Sequence, residues 1–162
     1  MKPVAVSVTV PQGREEVFEF LDVLANHEAF TDHFLLDWEV SGPPSGVGAR
    51  ARMRVKSPRP DDWLEMKVVA ADPPRTTAEE SVGARGRRRT RGTYLLEEEP
   101  TGGTKVNFEL VWLEAPLTER LAAPLTRAVV RRANARSLSR LADQLAARSG
   151  PPATRPSGPR SE

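Results

Sequence analysis

Two histidines, His27 and His33, fall in the stretch HEAFTDH, where Glu28 and Asp32 add carboxylates. These are metal-ligand types. However, a separation of six residues turns the histidines about 240° apart on a continuous helix, and the spacing matches no zinc pattern. Without cysteine, thiolate metal sites, thiol nucleophiles and disulfides are excluded. His27 reads as a surface or helix-end residue. The turn SGPPSGVG lacks the glycine spacing and terminal Lys-Ser/Thr of a phosphate loop. No GxSxG nucleophile motif occurs either. Nucleotide-driven and serine-hydrolase chemistry are therefore not expected, and no cofactor or metal is implied.

The most basic stretch, GARGRRRTRG at 83–92, holds five arginines. Read as a turn running into a strand whose Tyr94 and Leu96 face inward, it sends Arg88 to the same inner face and Arg87, Arg89 and Arg91 outward. Arg88 is then expected opposite an inward Glu80. The two could orient a ligand hydroxyl or carbonyl, or neutralise each other, since buried charges need partners. The outward arginines read as a solvated face balanced by nearby acids. Nucleic acid is an unlikely partner, because single-strand binders interleave aromatic groups with basic ones and only Tyr94 is close by. Trp38, Met53, Met66, Tyr94, Phe108 and Trp112 form an aromatic and thioether set. It is suited either to lining an apolar cavity or to plain core packing.

The elements that hold these residues follow from periodicity. Val4, Val6, Val8 and Val10 alternate as a strand that ends at Pro11. Val17, Phe20, Leu21 and Leu24 recur at helical spacing behind Glu15 and Glu16, giving two short helices broken near Asn26. Alternation returns in Leu36-Trp38-Val40, Ala49-Ala51-Met53-Val55 and Leu64-Met66-Val68, and again on both sides of the PTGG turn at 100–103. This makes about seven strands. Leu117, Leu121, Leu125, Val129, Ala133, Leu138, Leu141 and Leu145 then predict one amphipathic helix over 117–147 facing the sheet, with Pro124 kinking it or starting its main part. Residues 149–162, with four prolines and no large apolar side chain, read as a disordered tail beyond a single domain at 1–148. The fold class is α+β, a curved antiparallel sheet wrapped on a helix. With 38% hydrophobic and 28% charged residues the chain falls in the ordinary globular range. No apolar run reaches the roughly 20 residues of a membrane-spanning helix, and no signal peptide is evident at the N-terminus, so a cytoplasmic location is expected.

In order and spacing, the stretches VSVTVPQGREEVFEFL, VVAADPPRTT, GTYLLEEEPTGGTKVNFELVW and LTERLAAPLTRAVVRRANARSLSRLADQL resemble the polyketide cyclase/dehydrase group of the START-like (Bet v 1-like) helix-grip superfamily, across residues 4–147. The resemblance implies a hydrophobic cavity between sheet and C-terminal helix, with His33 near its mouth. It implies binding of a polyketide, lipid or isoprenoid-like molecule. The alternative is a cofactor-free cyclase or aromatase that uses His33 or Glu80 as base and Arg88 or Tyr94 as donor. A third reading is a partner-binding protein acting through the arginine-rich surface. Peripheral membrane contact, and a monomeric or homodimeric state, stay open.

Overall fold

A computed structural model of the chain describes residues 1–56 and 62–150. The chain order is β1 (Val4–Val10), α1 (Arg14–Asp22), a 3-10 turn (Leu24–Asn26), α2 (His27–Thr31), β2 (Leu35–Ser41), β3 (Arg50–Val55), β4 (Trp63–Asp72), β5 (Thr76–Gly83), β6 (Arg88–Glu98), β7 (Thr104–Glu114), α3 (Leu117–Leu121) and α4 (Ala123–Ser149). The seven strands form one sheet in the order β1-β7-β6-β5-β4-β3-β2, every neighbour antiparallel. This is the α+β helix-grip arrangement expected from the sequence.

The alternating valines of β1 bury at both ends. Glu15 and Glu16 occupy the first turn of α1, where negative charge complements the helix dipole, and Val17, Phe18, Phe20 and Leu21 turn inward. One apolar cluster joins α1, Phe30 of α2, the inner faces of β1, β6 and β7, and Leu138, Leu141 and Leu145 of α4. A second joins Leu24 and Leu35 to Ala51, Met53 and Met66 on β3 and β4.

Two expectations need correction. The face Leu36-Trp38-Val40 is interrupted, because the β2–β3 register shifts between Leu36 and Glu39 and Asp37 adopts a φ of 56°. A bulge residue reverses the alternation, so Leu35 is buried while Val40 is exposed. Nor is the C-terminal segment one helix facing the sheet throughout. It breaks at Ala122 into α3 and α4, and the first buried residue of α4 is Asn134. Leu117, Leu121, Leu125 and Val129 are 67%, 78%, 68% and 60% exposed. The reason is angular. Steps of four residues advance 400°, so such a stripe drifts about 40° per step and puts Leu125 about 160° from Leu141 around α4.

At the far end α4 runs through Ser149, whose hydroxyl accepts a hydrogen bond from Gln12 Nε2 at 3.2 Å. Ser149 thus belongs to the helix rather than to the expected tail. Residues 151–162 of that tail lie outside the described residues. No helix among the described residues is long and apolar enough to cross a membrane.

Candidate functional site

A cavity of about 80 Å³ lies between the sheet and the helices. It is lined by His27 and Thr31 of α2, Leu35 and Trp38 of β2, Leu64 and Met66 of β4, and Glu79 and Ser81 of β5. Thr90, Gly92 and Tyr94 of β6, Phe108 and Leu110 of β7, and Asn134, Ser137 and Leu138 of α4 complete it, with Phe34. The volume is small beside the roughly 300–1,000 Å³ of sites that enclose drug-sized molecules. A larger guest requires the lining side chains to move.

The chemistry of the cavity centres on His27 and Glu79, both buried. His27 opens α2, and its helical spacing to Phe30 and Thr31 puts all three on the buried face. Its Nε2 lies 2.8 Å from the carbonyl oxygen of Leu21. A carbonyl only accepts, so Nε2 carries the proton and Nδ1 is left with a bare lone pair. Nδ1 faces Glu79 Oε2 at 3.8 Å, too far for a hydrogen bond. Burial pushes the imidazole pKa down to about 4, against the opposing hydrogen bond to Leu21. Burial also pushes the Glu79 carboxyl up to about 8. At neutral pH the pair is therefore a neutral imidazole beside a protonated acid, one group offering a lone pair and the other a proton. Tyr94 packs edge-on to His27 at 5.9 Å, and burial, with Glu79 adding to it, holds its phenol neutral.

Gly92 makes room for this arrangement. It stands directly opposite Glu79 in the β5–β6 register. A Cβ there would come within 2.9 Å of the Phe108 ring and 3.2 Å of Glu79 Oε1. A glycine inside a strand marks such a close approach, but only the cross-strand register connects it with Glu79. Two further polar groups belong to lining residues. Trp38 Nε1 and Asn134 Nδ2 are buried donors without a hydrogen-bond partner. Unsatisfied buried donors are costly, and these two belong to residues of the cavity wall.

Of the residues singled out from sequence, Trp38, Met66, Tyr94 and Phe108 line the cavity. The others do not. Met53 is fully buried in the β2–β4 cluster. Trp112 is buried farther along β7, opposite Thr90. His33 lies after α2 and reaches the Ala133 carbonyl of α4 at 3.1 Å, bracing the α2–β2 link against the helix. Glu80 points to the outer face, because β5 alternates with Glu79 and Ser81 inward, and it pairs there with Arg91 at 3.0 Å. The expected Glu80–Arg88 contact is therefore replaced. Arg88 lies on the inner-face side of β6 but beyond the cavity, where its Nε donates to Glu119 of α3 at 2.8 Å and Asp62 lies 3.7 Å away. Among the described residues no group of three or more His, Asp or Glu side chains is placed to hold a metal ion.

The arginine tract is thereby sorted. Arg89 and Arg91 face outward and pair across the strands with Glu114 and Glu80. The irregularity in β6 falls between Arg89 and Thr90 on the β7 side, not at Gly92, and leaves Arg88 inward and Arg89 and Arg91 outward as alternation places them. Arg87, expected to face outward with them, instead precedes the strand in the β5–β6 turn, where alternation does not apply, and borders the same groove as Arg88. Arg88→Ala is expected to lower stability by about 1–2 kcal/mol, since it leaves the half-buried Glu119 and Asp62 without their partner. Arg89→Ala and Arg91→Ala, which break exposed pairs, should each cost about 0.2–1 kcal/mol. Chemical denaturation of the three variants measures the difference, and equal losses would remove the distinction between the two faces.

Comparison with known proteins agrees with this architecture. The family model described as "Polyketide cyclase / dehydrase and lipid transport" matches residues 1–146. No curated protein matches the sequence. Among solved structures, TTHA0849 from Thermus thermophilus superposes with a TM-score of 0.73 at 18% identity, covering 92% of this chain and all of the other. Ara h 8.0201 superposes at 0.65 and 13% identity, covering 90% and 98%. Norcoclaurine synthase from Thalictrum flavum superposes at 0.62 and 15% identity, covering 84% of each chain. At these identities the likeness is one of fold. With the family model spanning nearly the whole described chain, the protein belongs to the polyketide cyclase/dehydrase and lipid-transport family.

Proposed function

We propose that the protein binds a mostly apolar small molecule bearing at least one carbonyl or hydroxyl oxygen, held in the cavity between the sheet and α4. The observation that carries this reading is the pair of unpartnered donors, Trp38 Nε1 and Asn134 Nδ2, on two residues that line a largely apolar cavity whose other polar groups include His27, Glu79 and the hydroxyls of Thr31, Ser81, Thr90 and Ser137. An apolar guest satisfies the aromatic walls, and its oxygen accepts from the donors or from the protonated Glu79. The test is a titration of the protein with a fused-ring aromatic ketone and with the hydrocarbon of the same skeleton, read by tryptophan fluorescence or calorimetry. The ketone should bind at least about tenfold more tightly, the worth of one good hydrogen bond inside a protein, and Asn134→Leu should erase most of that preference. Equal affinities for the two compounds would sink the reading.

The His27–Glu79 pair favours a second reading, an enzyme that enolises or cyclises a bound ketone without a cofactor. The acid and base expected from sequence were His33, Glu80 and Arg88. His27 and Glu79 take their place in this reading, and Tyr94 remains a candidate donor. Glu79 delivers its proton to the carbonyl oxygen while His27 Nδ1 accepts one from the α-carbon, leaving a neutral enol, a glutamate carboxylate and an imidazolium whose charges neutralise each other. The same ketone would then exchange its α-hydrogens for deuterium faster with the protein than with buffer, and Glu79→Gln would abolish the excess. Binding without accelerated exchange leaves a carrier.

A further inference from the structure

We infer that the outward face of α3 and the first half of α4 is a docking surface for an anionic lipid bilayer. It lies on the side of α4 turned away from the cavity, and the inference does not depend on what the cavity holds. Leu117, Leu121, Leu125 and Val129 expose 60–78% of their surface there, and no apolar side chain of α3 is buried. A helix pair that leaves its aliphatic stripe to water gains nothing from that stripe in the folded monomer.

The charge on the same face selects the partner. Between Glu119 and Asp143 the chain has six arginines and no acidic residue. Arg120, Arg131, Arg132 and Arg136 are exposed. Arg132 and Arg136 follow Leu125 and Val129 by seven residues each, which returns them to within about 20° of the same direction around the helix. The outward face of α4 is therefore aliphatic in its first turns and cationic in the next. The acid that α3 does carry, Glu119, is turned inward onto Arg88. Beside Leu117 and Thr118, a groove of about 560 Å³ is bordered by Arg87 of the β5–β6 turn, and the two acids on its wall, Asp62 and Glu119, face Arg88.

Exposed aliphatic side chains flanked by arginines, with the one acid of α3 taken up by Arg88, match the boundary between anionic headgroups and acyl chains. There the aliphatic groups enter the hydrocarbon edge and the guanidinium groups bind phosphate. A second copy of the chain would present the same cationic helix face and be repelled. A nucleic acid would satisfy the arginines but leave the leucines in water, and no exposed aromatic residue on this face offers a base a stacking partner.

The test is flotation of the full-length protein with vesicles of phosphatidylcholine alone and of phosphatidylcholine mixed with phosphatidylglycerol. The protein should float with the mixed vesicles and not with the neutral ones. The double variant Leu121→Glu/Leu125→Glu changes only exposed positions, so its melting temperature should match the parent while its vesicle affinity falls at least about tenfold. Arg131→Gln/Arg132→Gln should weaken binding by up to about fivefold per arginine. Failure to float with anionic vesicles overturns the inference, as does binding that survives the leucine changes, which would be charge attraction alone. It is equally overturned if the leucine variant loses a concentration-dependent oligomer, or if the arginine variant loses binding to single-stranded RNA, while neither changes vesicle binding.

Discussion

Between about pH 6.5 and 8 the wild-type protein is expected to lose on the order of 2 kcal/mol of stability that a Glu79→Gln variant keeps. The folded-state pKa of Glu79 is raised from 4.5 to about 8. The native state therefore holds a proton that the unfolded chain has released, and stability falls as pH rises through this window. His27 has the opposite sign. Its pKa is lowered from 6.5 to about 4, so its contribution is complete above 6.5 and is lost as pH falls through 4. Between about pH 4.5 and 6.5 the unfolded pair and the folded pair each bind one proton, and the two slopes cancel. The wild-type profile is thus a plateau with a fall on either side. Glutamine keeps the shape of Glu79 without its ionisation, which leaves only the histidine limb and a profile that rises to pH 6.5 and then stays level. Urea denaturation at half-unit pH steps resolves the two curves. Parallel curves would mean that Glu79 ionises as freely in the folded protein as in water, and its role as a proton donor would fail with it.

Gly92→Val should destabilise the protein by about 3 kcal/mol, at the upper end of what overpacking a core position costs. Its Cβ would sit 2.9 Å from the Phe108 ring and 3.2 Å from Glu79 Oε1. Neither neighbour has an easy retreat, because Phe108 packs on Tyr94 with ring centroids 4.7 Å apart and Glu79 faces His27. Shortening the obstacle should restore part of the loss, so Gly92→Ala combined with Phe108→Leu is expected to be less destabilised than the sum of the two single changes, measured as a double-mutant cycle. Strict additivity would show that Gly92 is required for its backbone rather than for the space it leaves. In that case the inward placement of Glu79 would owe nothing to the residue opposite.

The sequence by itself determined the elements and their order. Valine alternation in β1, helical spacing in α1, the PTGG turn between β6 and β7 and the leucines at 138, 141 and 145 are local patterns. Each reports which face of its own element is buried, and together they led to the helix-grip fold and to four residues of the cavity wall. The acid–base pair was not legible in the same way. In EES at 79–81 strand alternation lets either glutamate face inward, and the expectation fell on Glu80. The choice of Glu79 was decided by cross-strand register, with Gly92 opposite it and the Phe108 ring alongside. His27 looked like a polar residue at a helix end until tertiary packing brought Leu21, Glu79 and Tyr94 around it from three other elements. The leucines at 117, 121 and 125 have the spacing of a buried stripe, but whether such a stripe is covered depends on the surface across from it, and α4 meets β1 and α2 with its other face. Periodicity records how side chains share an element, whereas the chemistry here arises between residues of different strands and helices, whose separation in space no local pattern encodes.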